Sequence, residues 1–94
     1  MTAITNAANL GPKSAQWLAK IGITELEQVR ALGSIEVMLR LKGAGIPVSL
    51  NLLYALEGAL EGRHWQEIKC ERKAELIVMW DAALSQHRLW QSRD

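Results

Sequence analysis

Apolar residues recur at intervals of three and four along most of the 94-residue chain, which is the period of an α-helix. Seven glycines divide this pattern into short segments, at positions 11, 22, 33, 43, 45, 58 and 62. Leucine and alanine, with 14 and 12 residues, outnumber valine, isoleucine and threonine, which favours helix over sheet. The sequence therefore predicts an all-α fold: a compact bundle of five to six short helices in a single domain over residues 1–94, with its core at about 9–84.

Start and stop signals place the first two helices. The first N–H groups of a helix have no intrahelical partner, so the missing N–H of a proline costs nothing there. A helix is therefore predicted to begin at Pro12 and to end before Gly22. The next helix is predicted to begin at Thr24, which has the spacing of a capping box with Glu27, and to end at Gly33.

The most apolar helix follows in the second half of the chain. A third helix is predicted to end at the glycines of 43–45, and Ser49 then has the character of an N-cap. Residues 50–60 are apolar around most of a helical circumference, which predicts the central helix of the core. A short turn over 63–68 and a last long helix over about 70–90 complete the prediction.

The charge balance limits the partners that the chain can bind. Eleven Lys and Arg oppose ten Asp and Glu, giving a net charge of +1. Proteins that grip nucleic acid over a broad face carry a larger excess, because their affinity comes from counterion release at each phosphate. Any contact with DNA is therefore expected to be local and modest.

Cysteine content and hydropathy bear on the compartment. The single cysteine, Cys70, and the lack of a signal-like opening predict a reducing cytoplasm. The longest apolar run, 76–80, is far shorter than the roughly 18 residues of a membrane span, so no membrane association is expected.

A helix-hairpin-helix signature lies near the N-terminus, in Asn9-Leu10-Gly11-Pro12-Lys13-Ser14-Ala15. The usual pattern is Gly, apolar, Gly, three residues and Ala. Such a hairpin presents backbone N–H groups at a helix N-terminus, where the positive dipole end holds a phosphate oxygen. An asparagine replaces the first glycine here, and asparagine is among the few residues that enter the left-handed conformation. The predicted DNA-phosphate contacts are Asn9, Leu10, Gly11, Lys13 and Ser14.

Lys13 is the most suggestive residue of the hairpin. A cation in the first turn of a helix opposes the macrodipole by roughly 0.3–1 kcal/mol, and a bound phosphate removes that conflict. The alternative interpretation is an ordinary helix start with Lys13 as a solvated surface residue, and both remain open.

A second glycine pair, Gly43 and Gly45, lies close to Arg40 and Lys42. Two hairpins of this kind could grip both strands of a duplex. Ile46-Pro47 follows, however, where a helix should already have begun, so the favoured interpretation is a glycine stop and a proline turn.

No constellation for catalysis or metal binding stands out. The soft metal ligands are His64, Cys70 and His87, whose spacing matches no zinc pattern. The sequence has no phosphate loop, no dinucleotide fingerprint and no paired-carboxylate signature. A non-enzymatic protein without cofactor or metal is therefore predicted.

The chain has four tryptophans and no phenylalanine. Trp80 and Trp90 lie ten residues apart, within about 80° of each other around a helix of 3.6 residues per turn. With Ile77 and Leu84 they form an apolar stripe, which predicts an interface with a second copy or with another protein. The alternative is that the helix folds back across the bundle and buries Trp80 alone.

The hairpin at 9–15 and, above all, the run Leu53-Tyr54-Ala55-Leu56-Glu57-Gly58-Ala59 carry a resemblance to a known family. In these segments the chain resembles the C-terminal domain of the TfoX/Sxy family, bacterial regulators of natural competence and DNA transformation. The resemblance implies a helical bundle related to helix-hairpin-helix domains and a role in transcription regulation. Family members usually join this domain to an N-terminal α+β domain. The chain is therefore either a stand-alone member or a fragment of a two-domain regulator, and both remain open.

Two functions follow from these observations. In the first, the domain is a competence co-regulator module whose hairpin contacts DNA. In the second, it is a protein-interaction or dimerisation module that binds another transcription regulator, a TfoX N-terminal domain or a second copy, and does not touch DNA. The hairpin and Lys13 favour the first, and the near-zero net charge favours the second.

Overall fold

The computed structural model describes residues 1–91, with side chains described as far as His87. Within these residues the chain forms one 3-10 helix and five α-helices, which confirms the predicted all-α bundle. The elements are the 3-10 helix Ile4–Asn6, α1 Pro12–Lys20, α2 Leu26–Leu32, α3 Ser34–Gly43, α4 Leu50–Glu61 and α5 Trp65–Gln91. No helix in this part of the chain combines the length and the apolar character needed to cross a bilayer.

Helix α4 is the centre of the bundle, as its apolar circumference predicts. It contacts α2, α3 and α5, and its side chains Leu53 and Leu56 are fully buried. The hydroxyl of Ser49 accepts a hydrogen bond from the Leu52 N–H at 3.3 Å, so Ser49 is the predicted N-cap. Gly62 ends the helix in the left-handed conformation that an L side chain rarely adopts.

The capping box of α2 lies one residue later than predicted. Glu25, not Thr24, is the N-cap, and the Gln28 side chain accepts the Glu25 N–H at 3.0 Å. Glu27 instead accepts a hydrogen bond from the Thr2 N–H at 2.8 Å, which holds the pKa of the Glu27 carboxyl below its usual range. The N-cap lies one residue later because residues 2–4 lie against residues 24–26. The two segments are joined by an isolated antiparallel bridge between Ala3 and Glu25.

Helix α5 begins earlier than the predicted 70–90. The Nδ1 atom of His64 accepts the Gln66 N–H at 3.1 Å, and the Glu67 carboxylate accepts the His64 N–H at 3.2 Å. His64 therefore fills the place that serine or threonine takes in a capping box. The segment predicted as a turn over 63–68 is the first turn of one continuous helix, Trp65–Gln91.

Candidate functional site

The hairpin at residues 9–15 has the backbone that its sequence predicts. Asn9 has a φ of 69°, and it is the one non-glycine residue with positive φ in the described part of the chain. Leu10 is buried in the core, and Gly11 is the N-cap of α1. The element before the hairpin is the short 3-10 helix Ile4–Asn6, where a helix-hairpin-helix motif has a full helix. Residues 9–15 therefore have the predicted backbone without a full helix before them, and the helix-hairpin-helix assignment stays a prediction.

The Asn9 side chain holds the hairpin to the junction of α4 and α5. Its Nδ2 donates to the carbonyl of Arg63 at 2.7 Å, and its Oδ1 accepts the Trp65 N–H at 3.1 Å. Both polar atoms of the amide are thus used inside the protein. Asn9 positions the hairpin, and the groups left for a ligand belong to the residues that follow it.

Three backbone N–H groups at the start of α1 have no acceptor among the described residues: those of Gly11, Lys13 and Ser14. The first N–H groups of any helix lack intrahelical partners, and Pro12 has no N–H. No side chain caps this end, and no acidic residue lies in its first turn. Gly11 and Lys13 are exposed, and Ser14 is half-buried. This end of α1 is an uncapped positive pole open to solvent.

Lys13 folds along its own helix. Its Nζ lies 5.3 Å from the ring centroid of Trp17, one turn later, in a cation–π contact. Lys13 remains exposed, and its ammonium lies against a ring one turn further along α1. The contact also offsets part of the unfavourable interaction of Lys13 with the helix dipole.

The second glycine pair forms a helix end. The Ile46 N–H donates to the carbonyl of Leu41 and the Gly45 N–H to that of Lys42, both at 3.0 Å. This is a Schellman cap, in which Gly45 has a φ of 82°. Of the residues proposed for a second phosphate-binding hairpin, Gly45 donates its N–H within this cap, whereas Arg40, Lys42 and Gly43 lie in α3 itself. Arg40 itself pairs with Glu36 at 3.8 Å.

Carboxylates are concentrated where α4 meets α5. The guanidinium of Arg72 pairs with Glu57, Glu61 and Glu75, and these hydrogen bonds, that to Glu75 foremost, raise the pKa of Arg72. Arg63 pairs with Glu61, Glu67 and Glu71. We call these two arginines and five glutamates the acidic cluster.

The acidic cluster changes the meaning of the net charge. It carries three net negative charges, and the chain as a whole carries +1, so the remaining residues carry four net positive charges. All five lysines are exposed, and none has a carboxylate partner among the described residues: Lys13, Lys20, Lys42, Lys69 and Lys73. The net charge of +1 is therefore the sum of a negative acidic cluster and a positive remainder, which the sequence alone does not reveal.

The predicted apolar stripe on α5 is largely covered. Trp80 is 9% exposed and belongs to the core, while Leu84 packs against the core and Ile77 is half-buried. The burial of Trp80 agrees with the alternative in which the helix folds back across the bundle, and an interface on this stripe stays a prediction. The Trp90 side chain lies outside the described residues.

A groove with a mixed apolar and polar lining runs between α3 and the later turns of α5. We call it the α3–α5 groove; its volume is about 450 Å³, and it is lined by Leu32, Ile35, Glu36, Leu39, Ala83, Gln86 and His87. Val78 and Met79, at 66% and 43% exposed, lie close by in the sequence of α5. No group of three His, Cys, Asp or Glu in the described part of the chain is placed to hold a metal ion.

These features define an all-α domain with an uncapped hairpin helix and a central apolar helix. The chain belongs to the TfoX C-terminal domain family, whose model matches residues 1–79. Comparison with curated proteins and with solved structures finds no match. The family match includes residues 1–8, which hold the 3-10 helix and the bridge to Glu25.

Proposed function

We propose that this domain is a regulatory module that contacts a DNA phosphate through the first turn of α1. The observation that carries the proposal is the set of three unpartnered N–H groups on Gly11, Lys13 and Ser14, in a first turn that contains an exposed lysine and no acidic residue. N–H groups and the positive end of a helix dipole are suited to a phosphate oxygen. The regulation of competence and DNA transformation that the family resemblance implies is the setting proposed for this contact.

The charge distribution supports a contact of limited extent. The hairpin lies outside the acidic cluster, although Asn9 ties it to Arg63 and Trp65. Lysines without carboxylate partners are free to replace counterions at phosphates. Because few lysines lie in α1, binding is expected to involve a small number of phosphates and to weaken with salt along a shallow slope.

Lys13→Glu tests this proposal. We expect it to lower the affinity for a labelled DNA duplex at low salt at least about tenfold, and to reduce the salt slope by about 1 to 2. Thermal stability should stay nearly constant, because the acid gains roughly 0.3–1 kcal/mol from the dipole while the cation–π contact with Trp17 is lost. Anisotropy titrations and thermal melts measure the two quantities.

Lys20→Glu is the matched control for this experiment. Lys20 lies in the last turn of the same helix, is also exposed, and undergoes the same change of charge. It should lower affinity much less than Lys13→Glu. Equal effects of the two variants, or a wild-type domain that binds no duplex at low salt, would contradict the phosphate contact.

A protein-interaction module is the second candidate, and the α3–α5 groove favours it. The groove offers leucine and isoleucine side chains beside Glu36, a combination typical of protein interfaces with an apolar centre and a polar rim. Met79 lies one turn before the groove residue Ala83 on the same face of α5. The partner proposed here is a second copy of the chain or another transcription regulator.

Sedimentation at micromolar concentrations tests the second copy as partner. We expect a wild-type dimer that becomes a monomer in Met79→Glu, because a charge in an apolar contact lacks compensation. Met79 is exposed, so this variant should keep its melting temperature, whereas Trp80→Ala would also damage the core. A wild-type monomer at every concentration would exclude the homodimer.

A further inference from the structure

A second groove lies along the first turns of α5, and its residues Gln66 and Cys70 also border a smaller pocket lined by members of the acidic cluster. Its volume is about 520 Å³, and its lining consists of Trp65, Gln66, Lys69, Cys70 and Lys73. We call it the α5 groove. A cavity of this size is in the range of sites for small organic ligands or for one or two nucleotide units. Neither the proposed phosphate contact at α1 nor the core uses it.

The cations of this groove are separated from the carboxylates by the geometry of the helix. Lys69 and Lys73 lie one turn apart, with a rise of about 6 Å, and neither has a carboxylate partner among the described residues. Glu67 and Glu71 each precede one of these lysines by two residues, which is about 200° around the helix. The glutamates pair with Arg63 instead. The two ammonium groups are therefore available to successive anionic groups along one line.

An aromatic wall completes the groove. Trp65 is half-buried, so its ring is held by the bundle while part of it lines the groove. The exposed His64 ring stacks on it with centroids 5.7 Å apart and so covers part of one ring face outside the groove. The backbone N–H of Trp65 donates to Oδ1 of Asn9, which ties the first turn of α5, rather than the ring itself, to the hairpin. A rigid aromatic surface beside a line of cations is the combination that binds unstacked bases together with their phosphates.

We propose that the α5 groove binds single-stranded nucleic acid, with a base against Trp65 and phosphates at Lys69 and Lys73. A paired base in a duplex is stacked on both faces, so only an unpaired base can lie on the ring. The groove shares its ligand class with the proposed function but none of its residues. Each of the two sites is therefore tested by its own variants.

Cys70 provides a direct measurement of occupancy. It is the only cysteine of the chain, it is exposed, and it lines the edge of the groove that borders Glu67 and Glu71. A saturating 20-residue thymidine strand should slow its alkylation by iodoacetamide several-fold, as followed by mass spectrometry. Unchanged alkylation under saturation would overturn the proposal. So would equal protection by thymidine monophosphate at the same concentration, because a single nucleotide would then be the ligand.

Affinity measurements separate stacking from charge. The same labelled strand should bind at least about fivefold more tightly than an abasic strand of equal length and charge, because base stacking on an aromatic side chain contributes on that scale. It should also bind more tightly than a duplex of equal length. Equal affinity for the abasic strand would show that no base lies on Trp65.

Two double variants with the same change of charge locate the site. Lys69→Glu with Lys73→Glu should abolish protection of Cys70 and reduce the salt slope by about 1.4, the value for two phosphates of a single strand. Lys20→Glu with Lys42→Glu, at exposed positions outside the groove, should leave Cys70 protected. Equal effects of the two pairs would overturn the groove. Loss of duplex binding in Lys13→Glu with Cys70 protection intact would show that the two sites act separately.

Discussion

Replacement of Leu53 by alanine should lower the free energy of unfolding by about 2–5 kcal/mol, the largest stability effect expected in this chain. Leu53 has no solvent exposure and lies in α4, which contacts three other helices. Truncation leaves a cavity between α4 and the helices packed around it, and these helices cannot all move inwards to fill it. A domain of this size has a total stability of only about 5–15 kcal/mol, so the variant should be close to unfolding at 37 °C.

Urea denaturation followed by helical circular dichroism measures this effect. Leu50→Ala is the control, since Leu50 lies in the first turn of the same helix and is only half-buried. Leu50→Ala should lower the free energy of unfolding by less than half as much as Leu53→Ala. The slope of that free energy against urea concentration should stay at the wild-type value. A loss below about 1 kcal/mol for Leu53→Ala would mean that α4 is not the centre of the core.

The central helix could be predicted because its signals are local and agree with one another. Ser49 has a cap hydroxyl, Gly62 supplies the left-handed end, and the residues between them are apolar around most of the helix. All of these signals lie within one segment of the chain, so no distant contact is needed to predict the helix. The other helices then pack around it.

The two misplaced helix starts depend on contacts between distant or unusual partners. At α2, the pairs Thr24/Glu27 and Glu25/Gln28 both have the required spacing, and the N-terminal segment selects the second by binding Glu27 itself. At α5, the cap is the imidazole of His64, which is outside the usual set of N-cap residues. Neither choice can be made from the local sequence.

The candidate site shows the same division. The hairpin could be predicted from residues 9–15, including the left-handed backbone of Asn9. The α5 groove also has a signal in the sequence: Trp65, Lys69 and Lys73 recur every fourth residue and so lie on one face of a helix. The partners of Asn9 could not be predicted, since they lie more than fifty residues away in the chain.

Gly58 is the point at which α4 comes closest to the hairpin. A Cβ atom at this position would lie 2.5 Å from Nδ2 of Asn9 and 2.6 Å from the carbonyl oxygen of Arg63. The Asn9 side chain has rotamers to move into, but the Arg63 oxygen is backbone and is held beside the end of α4. Only glycine therefore allows Asn9 to bridge the hairpin and the α4–α5 junction.

Gly58→Ala is accordingly expected to destabilise the domain by about 1–3 kcal/mol, although alanine in a helix interior normally gains about 0.5–1 kcal/mol over glycine. Gly43→Ala is the matched control, because Gly43 is also helical but has no atom within 4 Å of its added Cβ, so it should be neutral or slightly stabilising. Only Gly58→Ala should displace the hairpin. The affinity of Gly58→Ala for duplex DNA should therefore fall, while that of Gly43→Ala stays at the wild-type value. Urea denaturation and anisotropy titration of both variants measure these effects. A Gly58→Ala domain as stable as Gly43→Ala would mean that the close approach of Asn9 is not required for the fold.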